Sequence, residues 1–213
     1  MVNCVTNRRP PAGPPSSSTD AKSHHAGVLK APKARHYSYR IDHDLGFAPH
    51  IEGRLCTLCG CKDTTIERWA NAGSWIVGIG GKGTGKADAL IYAMQVEETP
   101  SYRDFRKAHP KQASYLSSLG LPNDAPVLKS THFYYFGDQA KPLPPELSHI
   151  IHGTEGCKRL SDNDIALLNE LVLSGYRCGA HGKPNNRDLK SPCADNKLPD
   201  RPATPKLKCQ RIR

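Results

Sequence analysis

The chain has 213 residues, enough for one compact domain with tails, and its 18 prolines, 37% hydrophobic content and 7% aromatic content indicate that part of it does not pack. No apolar stretch approaches the ~20 residues that a membrane-spanning helix requires and the first residues lack an apolar signal core, so a cytoplasmic protein with no membrane attachment is expected. The net charge of +10 sits in the ends: Arg8, Arg9, Lys22, Lys30 and Lys33 against Asp20 give +4 over residues 1–34, nine basic against three acidic residues give +6 over 183–213, and the middle sums to zero.

Attraction to polyanions therefore belongs to the tails, where it would add affinity without sequence readout and weaken with salt. Residues 1–34, with PPAGPPSSS, His24, His25 and no aromatic residue, cannot bury enough surface to offset their ordering entropy and are expected to be disordered. In HYSYRID, Tyr37, Tyr39 and Ile41 alternate with polar residues and mark one face of a half-buried strand, which Gly46 and Pro49 end. Residues 43–63 lack a clear period and read as a long loop of the kind that is often functional.

Thr64 and Glu67 form a capping box for a helix of about two turns, with Ile66, Trp69 and Ala70 on one side and Gly73 at its end. The centre of the chain follows. An apolar run over 75–79, a loop with four glycines and two lysines, and a second apolar run over 89–96 read as a β-hairpin. Ser101, with Asp104 three residues on, caps a short helix whose apolar side holds Tyr102, Phe105 and Ala108. After a polar connection over 117–130, THFYYFG alternates as a strand with His132, Tyr134 and Phe136 on one face and Phe133 and Tyr135 on the other. Aromatics on both faces place that strand centrally or beside a pocket. PLPPELSHII starts a helix with proline in its first turn. Ser161 caps another over SDNDIALLNELVLSG, with Ile165, Leu168, Leu171 and Val172 on one side and Gly175 as its stop. Order is expected to fade beyond Gly182. The sum is an α+β fold over residues 35–182: a small mixed or antiparallel sheet, three or four short helices and disordered basic tails.

Residues 80–86 satisfy G-x-x-x-x-G-K, but Ala87 stands where a phosphate-binding loop needs its magnesium-coordinating hydroxyl, and a strand follows rather than a helix. A hairpin loop presenting backbone N–H groups with Lys82 and Lys86 to an anion is expected instead. Cys56, Cys59 and Cys61 concentrate three thiols, with His43, His50, Cys157, Cys178 and His181 as partners for a fourth zinc ligand. No second close pair exists, so a structural zinc stands beside buried or simply reduced thiols, and the sequence leaves the cofactor otherwise unknown. Asp44, Cys61 and His132 are the residue types of an enzyme's base or nucleophile, and equally those of a turn cap and a neighbour-satisfied histidine.

The runs YSYRIDHDLGFAPH, CTLCGCK, IERWANAGSWIVGIG and HFYYFGDQAKPLPPEL, in this order, resemble the second of the nucleotide modification associated domain families. The resemblance covers about residues 35–182. It implies a compact α+β domain found with phage and bacterial genes for modified DNA bases, akin to small pseudo-barrels that read altered bases. It also places the family's motif residues at Asp44, Gly46, Phe47, Ala48, Pro49, Cys56, Thr57, Leu58, Cys61, Lys62, Arg68, Gly73, Trp75, His132, Tyr135 and Gly137, without giving their roles. Ser74 stands where Asp is usual, His50 where Asn is usual, and Cys59 is an added thiol.

The reading that results is a nucleotide or modified-nucleic-acid binding module, with its site between the 44–49 loop, the 80–86 loop and the strand at His132. Phe47 or Tyr134 would stack on a base, Asp44 would accept hydrogen bonds from an amine or ribose, and Lys82 or Lys86 would neutralise phosphate. An enzyme of base modification using Asp44, His132 and Cys61, and a zinc-stabilised interaction protein, are the alternatives.

Overall fold

The computed structural model describes residues 33–46, 48–59, 64–117, 120–152 and 156–185. Phe47, Cys61, Lys62 and the side chain of Trp69 lie outside the described residues, as does nearly all of both tails.

A mixed sheet forms the centre, built from β1 (His36–Ile41), β4 (Trp75–Gly80), β5 (Ala89–Gln95), β7 (Phe133–Tyr135), β9 (Cys157–Leu160) and β10 (Gly179–Ala180). Their order is β10-β7-β5-β4-β1-β9, and β8 (Lys141–Pro142) adds a short pairing to β5. A second, antiparallel sheet of three strands holds β2 (His50–Glu52), β3 (Leu55–Leu58) and β6 (Leu128–Ser130). The helices are α1 (Thr64–Trp69), α2 (Tyr102–Ala108), α3 (Pro110–Leu116) and α4 (Asp162–Leu171), with a 3-10 turn at Pro145–Ile150 where the sequence predicts a proline-started helix. The fold is α+β, as the sequence implies. Among the described residues the pseudo-barrel shape is not seen: β10 and β9 are the two ends of an open sheet, so the sheets do not close there.

Alternation divides the side chains of the central sheet between two apolar layers. Tyr37, Ile41, Ile76, Tyr92, Met94, Phe133 and Tyr135 face the small sheet and α1, where Cys56, Leu58, Leu128 and Ile66 meet them. Trp75, Val77, Ile79, Leu90 and Phe136 face α4 and the 3-10 turn, through Leu168, Ile165, Leu147 and Ile150. β1 is thus covered on both sides rather than half-buried. The hairpin of β4 and β5 forms as predicted, with a register shift beyond Gly78 that keeps both strands aligned to the two layers.

Local signals account for most helices. Ser101 Oγ accepts from Asp104 N at 3.2 Å at the start of α2. Ser161 and Asp164 form a reciprocal capping box on α4. The 43–63 segment, expected as a loop, contains the β2–β3 hairpin, and the helix α3 begins with Pro110 at its first turn.

Candidate functional site

β1 and β4 run parallel, β5 runs antiparallel to both β4 and β7, and β10 runs parallel to β7. The carboxyl ends of β1, β4, β7 and β10 therefore emerge at one edge of the sheet. The loops that follow them, residues 42–46, 81–88, 136–139 and 181–185, gather there. In open α/β sheets, loops at strand carboxyl ends are where ligands bind, and the parallel β1–β4 and β7–β10 pairs give this mixed sheet a similar cluster of loops.

Gly81 N donates to Ile41 O at 2.7 Å, which seats the two-lysine loop directly on the chain leading to Asp44. The fit is close: a Cβ on Gly81 would lie 2.9 Å from Arg40 Nε, and one on Gly83 would lie 2.9 Å from His43 Cε1. Lys82, Lys86 and His43 are exposed along this rim. The loop is less open as an anion cradle than its glycines suggest. The N–H groups of Gly81, Thr84, Gly85, Lys86, Asp88 and Ala89 already bond within the chain. Lys82 and Lys86, both exposed, add positive charge to it.

Asp44 lies behind that rim and is only 1% exposed. Tyr135 Oη sits 2.9 and 2.8 Å from its two carboxylate oxygens and donates to the carboxylate, and Asn185 N donates to Oδ2 at 3.2 Å. The N–H of Gly46, two residues on, also donates to it, a side-chain turn that the Asp-x-Gly order favours. Burial pushes the Asp44 carboxyl above the usual carboxylate range. Its hydrogen bonds oppose that shift, while the nearby charge of Asp138 adds to it. Burial, and then the Asp44 charge, raise the Tyr135 phenol in turn.

Register places a row of residues across four strands on this same face. Tyr39 pairs with Gly78, Gly78 with Tyr92, and Tyr92 with Tyr135. Gly78 lacks a side chain, so the two flanking rings meet edge to face across it at 6.1 Å, and their hydroxyls bond at 2.8 Å. Burial keeps the Tyr92 phenol protonated well beyond its usual range, with Tyr39, Cys56 and Glu67 close by. The floor of the site is thus a band of tyrosine hydroxyls inside an apolar layer, with Asp44 at its Tyr135 end.

Residues 33–118 match the family model of nucleotide modification associated domain 2.

No curated protein and no solved structure matches the chain. The nucleotide modification associated domain 2 match supports the resemblance read from the sequence and spans β1 through α3. It therefore contains Asp44, the two-lysine loop, Gly78 and Tyr92. Tyr135, Asp138 and Asn185 reach the same edge from outside the matched segment, because β7 and β10 complete the sheet that β5 begins.

Several predicted site residues stand elsewhere. His132 precedes β7, at the amino end of that strand, whereas Asp44 lies with the loops at the carboxyl ends. There its Nδ1 bonds Gln95 Oε1 at 3.0 Å and its ring meets Trp75 at 5.3 Å. Tyr134 alternates away from Tyr135 onto the α4 side, where burial and the Cys178 thiol push its phenol up to about 12. Neither joins Asp44, Lys82 and Lys86. Cys56 faces the small-sheet layer and Cys59 a separate cluster with Tyr102 and Phe105, so the C-x-x-C pair does not converge as zinc ligands would. Ser74, at the same edge as His132, ties Asn71 and Arg35 together through its hydroxyl, which is a structural task. Tyr92, Gly78, Asp138 and Asn185 escaped the sequence reading. Only the Gly at the centre of an apolar strand hinted at a close approach.

Proposed function

We propose that this domain binds a nucleotide, or a nucleotide within modified nucleic acid, at the edge formed by the 42–46 and 81–88 loops, in connection with base modification. The observation that carries this reading is the seating of the two-lysine loop on the chain that delivers Asp44, inside the segment matched by the family model. Lys82 and Lys86 supply charge for phosphate, and the exposed His43 beside Gly83 supplies a ring and a donor at the rim. Asp44, already engaged by Tyr135, Gly46 and Asn185, fixes the loop from beneath.

Titration of the full chain with nucleoside monophosphates and with plain and modified oligonucleotides tests this reading. The K82A/K86A variant should lose binding several-fold, and the slope of log K against log salt should become shallower by about 1 to 2 for oligonucleotides. Unchanged affinity and slope in that variant would place the contact elsewhere.

A second reading, an enzyme acting on a nucleotide or base, draws on Asp44 alone. A buried carboxyl whose pKa is raised, held by a tyrosine hydroxyl, suits proton transfer. Turnover of a bound nucleotide that disappears in D44N would favour it over a binding module.

A further inference from the structure

The chain covers its own site. After β10, residues 181–185 run over the carboxyl end of β7. His181 N donates to Tyr135 O at 2.7 Å, Lys183 N donates to Asp138 Oδ1 at 2.8 Å, and Lys183 O accepts from Asp138 N at 2.8 Å. Pro184 lies against Gly46, where a Cβ would approach its Cγ to 2.8 Å. Gly137, with a φ of +50°, has no room for a Cβ beneath the Lys183 carbonyl. Asn185 then turns two donors inward: its backbone N–H to Asp44 Oδ2 at 3.2 Å and its Nδ2 to Gly137 O at 3.1 Å.

We infer that Asp44 and the Gly137 carbonyl are a recognition pair for a base edge bearing two adjacent N–H donors, that of guanine or a guanine-like modified purine, and that Asn185 occupies this pair when no ligand is bound. The inference rests on the nucleotide-binding reading and names its ligand class. Both groups of the pair are acceptors and both are held in place, Asp44 by Tyr135 and Gly137 by the strap packed against it. Among the common bases, adenine and cytosine offer one amino group beside a ring acceptor, and thymine and uracil offer one ring N–H between carbonyls. Guanine alone sets a ring N–H beside an amino group. A base that turns an acceptor toward this pair leaves a buried carboxylate or carbonyl unmatched, which discriminates more strongly than an added contact attracts. Asn185, tethered in the same chain, competes as an internal ligand and lowers apparent affinity by the fraction of time it is seated.

Calorimetric titration of the full chain with GMP, IMP and AMP tests the inference. IMP keeps the ring N–H and lacks the amino group. GMP should bind about tenfold or more tightly than IMP, and AMP more weakly than IMP. In N185A the Gly137 carbonyl is released, and GMP should bind about two- to tenfold more tightly than in the wild-type chain. N185S, with thermal unfolding recorded for both variants, gives the same comparison if N185A does not fold. Equal affinity for the three nucleotides would overturn the recognition pair while leaving the nucleotide-binding reading intact. Guanine preference with GMP binding unchanged or weaker in both variants would overturn the role of Asn185. Absence of binding by any nucleotide or oligonucleotide would overturn the inference together with the reading beneath it.

Discussion

Gly78→Ala is the sharpest test of how the floor of the site is built. Gly78 faces the small-sheet layer between Tyr39 and Tyr92, and a Cβ there would lie 2.5 Å from Tyr92 Cδ1 and 2.6 Å from Ile41 Cδ1, about 1 Å inside normal contact. The Tyr92 ring is fully buried, its hydroxyl is bonded to Tyr39 at 2.8 Å, and Tyr135 stands opposite it on the next strand, so it has nowhere to retreat. Overpacking of this kind costs about 1–3 kcal/mol, and breaking the hydroxyl pair would cost about 1–3 kcal/mol more. Alanine in place of glycine within a strand returns about 0.5–1 kcal/mol of backbone entropy. The net expectation is a destabilisation of about 1–5 kcal/mol, equivalent to roughly 2–20 °C in Tm for a chain of this size. Urea unfolding followed by tryptophan fluorescence measures it. In a Tyr92→Leu background the ring is gone and only the contact with Ile41 remains, so G78A should cost clearly less, a coupling of about 1 kcal/mol or more. Wild-type stability in G78A, or strict additivity of the two substitutions, would refute the packing account.

Other outcomes follow from the carboxyl beneath the rim. Because burial raises the Asp44 pKa in the folded chain, protonation favours folding. The stability of the wild type relative to D44N should be greatest below the usual carboxylate range, fall as pH rises through the raised value, and level off above it; a margin that grows with pH would contradict this. Tyr135→Phe removes the strongest hydrogen bond to the ionised form, so it should cost about 1.5–3 kcal/mol at pH 7 and move that pH window upward, read from unfolding free energies across the pH range. Ser161→Ala breaks a cap in which Ser161 Oγ accepts from Asp164 N at 3.1 Å, and should lower stability by about 1 kcal/mol without altering any affinity found in the proposed nucleotide titrations.

Much of this architecture is written in short-range pattern. Alternation marked β1 and β7, the glycine loop between apolar runs marked β4 and β5, and serine caps marked α2 and α4, because each signal lies within a few neighbouring residues. Of the two placements that the aromatics on both faces of β7 allowed, central or beside a pocket, pairing with both β5 and β10 gives the central one. The β2–β3 hairpin and β10 were hidden, since three and two residues are too few to show a period. Within the site, Asp44 and the two lysines were legible as an Asp-x-Gly turn and a cationic loop. Their neighbours were not. The row of Tyr39, Gly78, Tyr92 and Tyr135 exists only through the register of four strands, and Asn185 reaches Asp44 across a sequence separation of 141. Strand direction decided the rest. His132 enters β7 at its amino end and Tyr135 leaves it at the carboxyl end, so only Tyr135 of the two meets the loops around Asp44. Local sequence determines which segments extend or coil. Which side chains face one another is set by pairing between distant segments, and that is where this site is made.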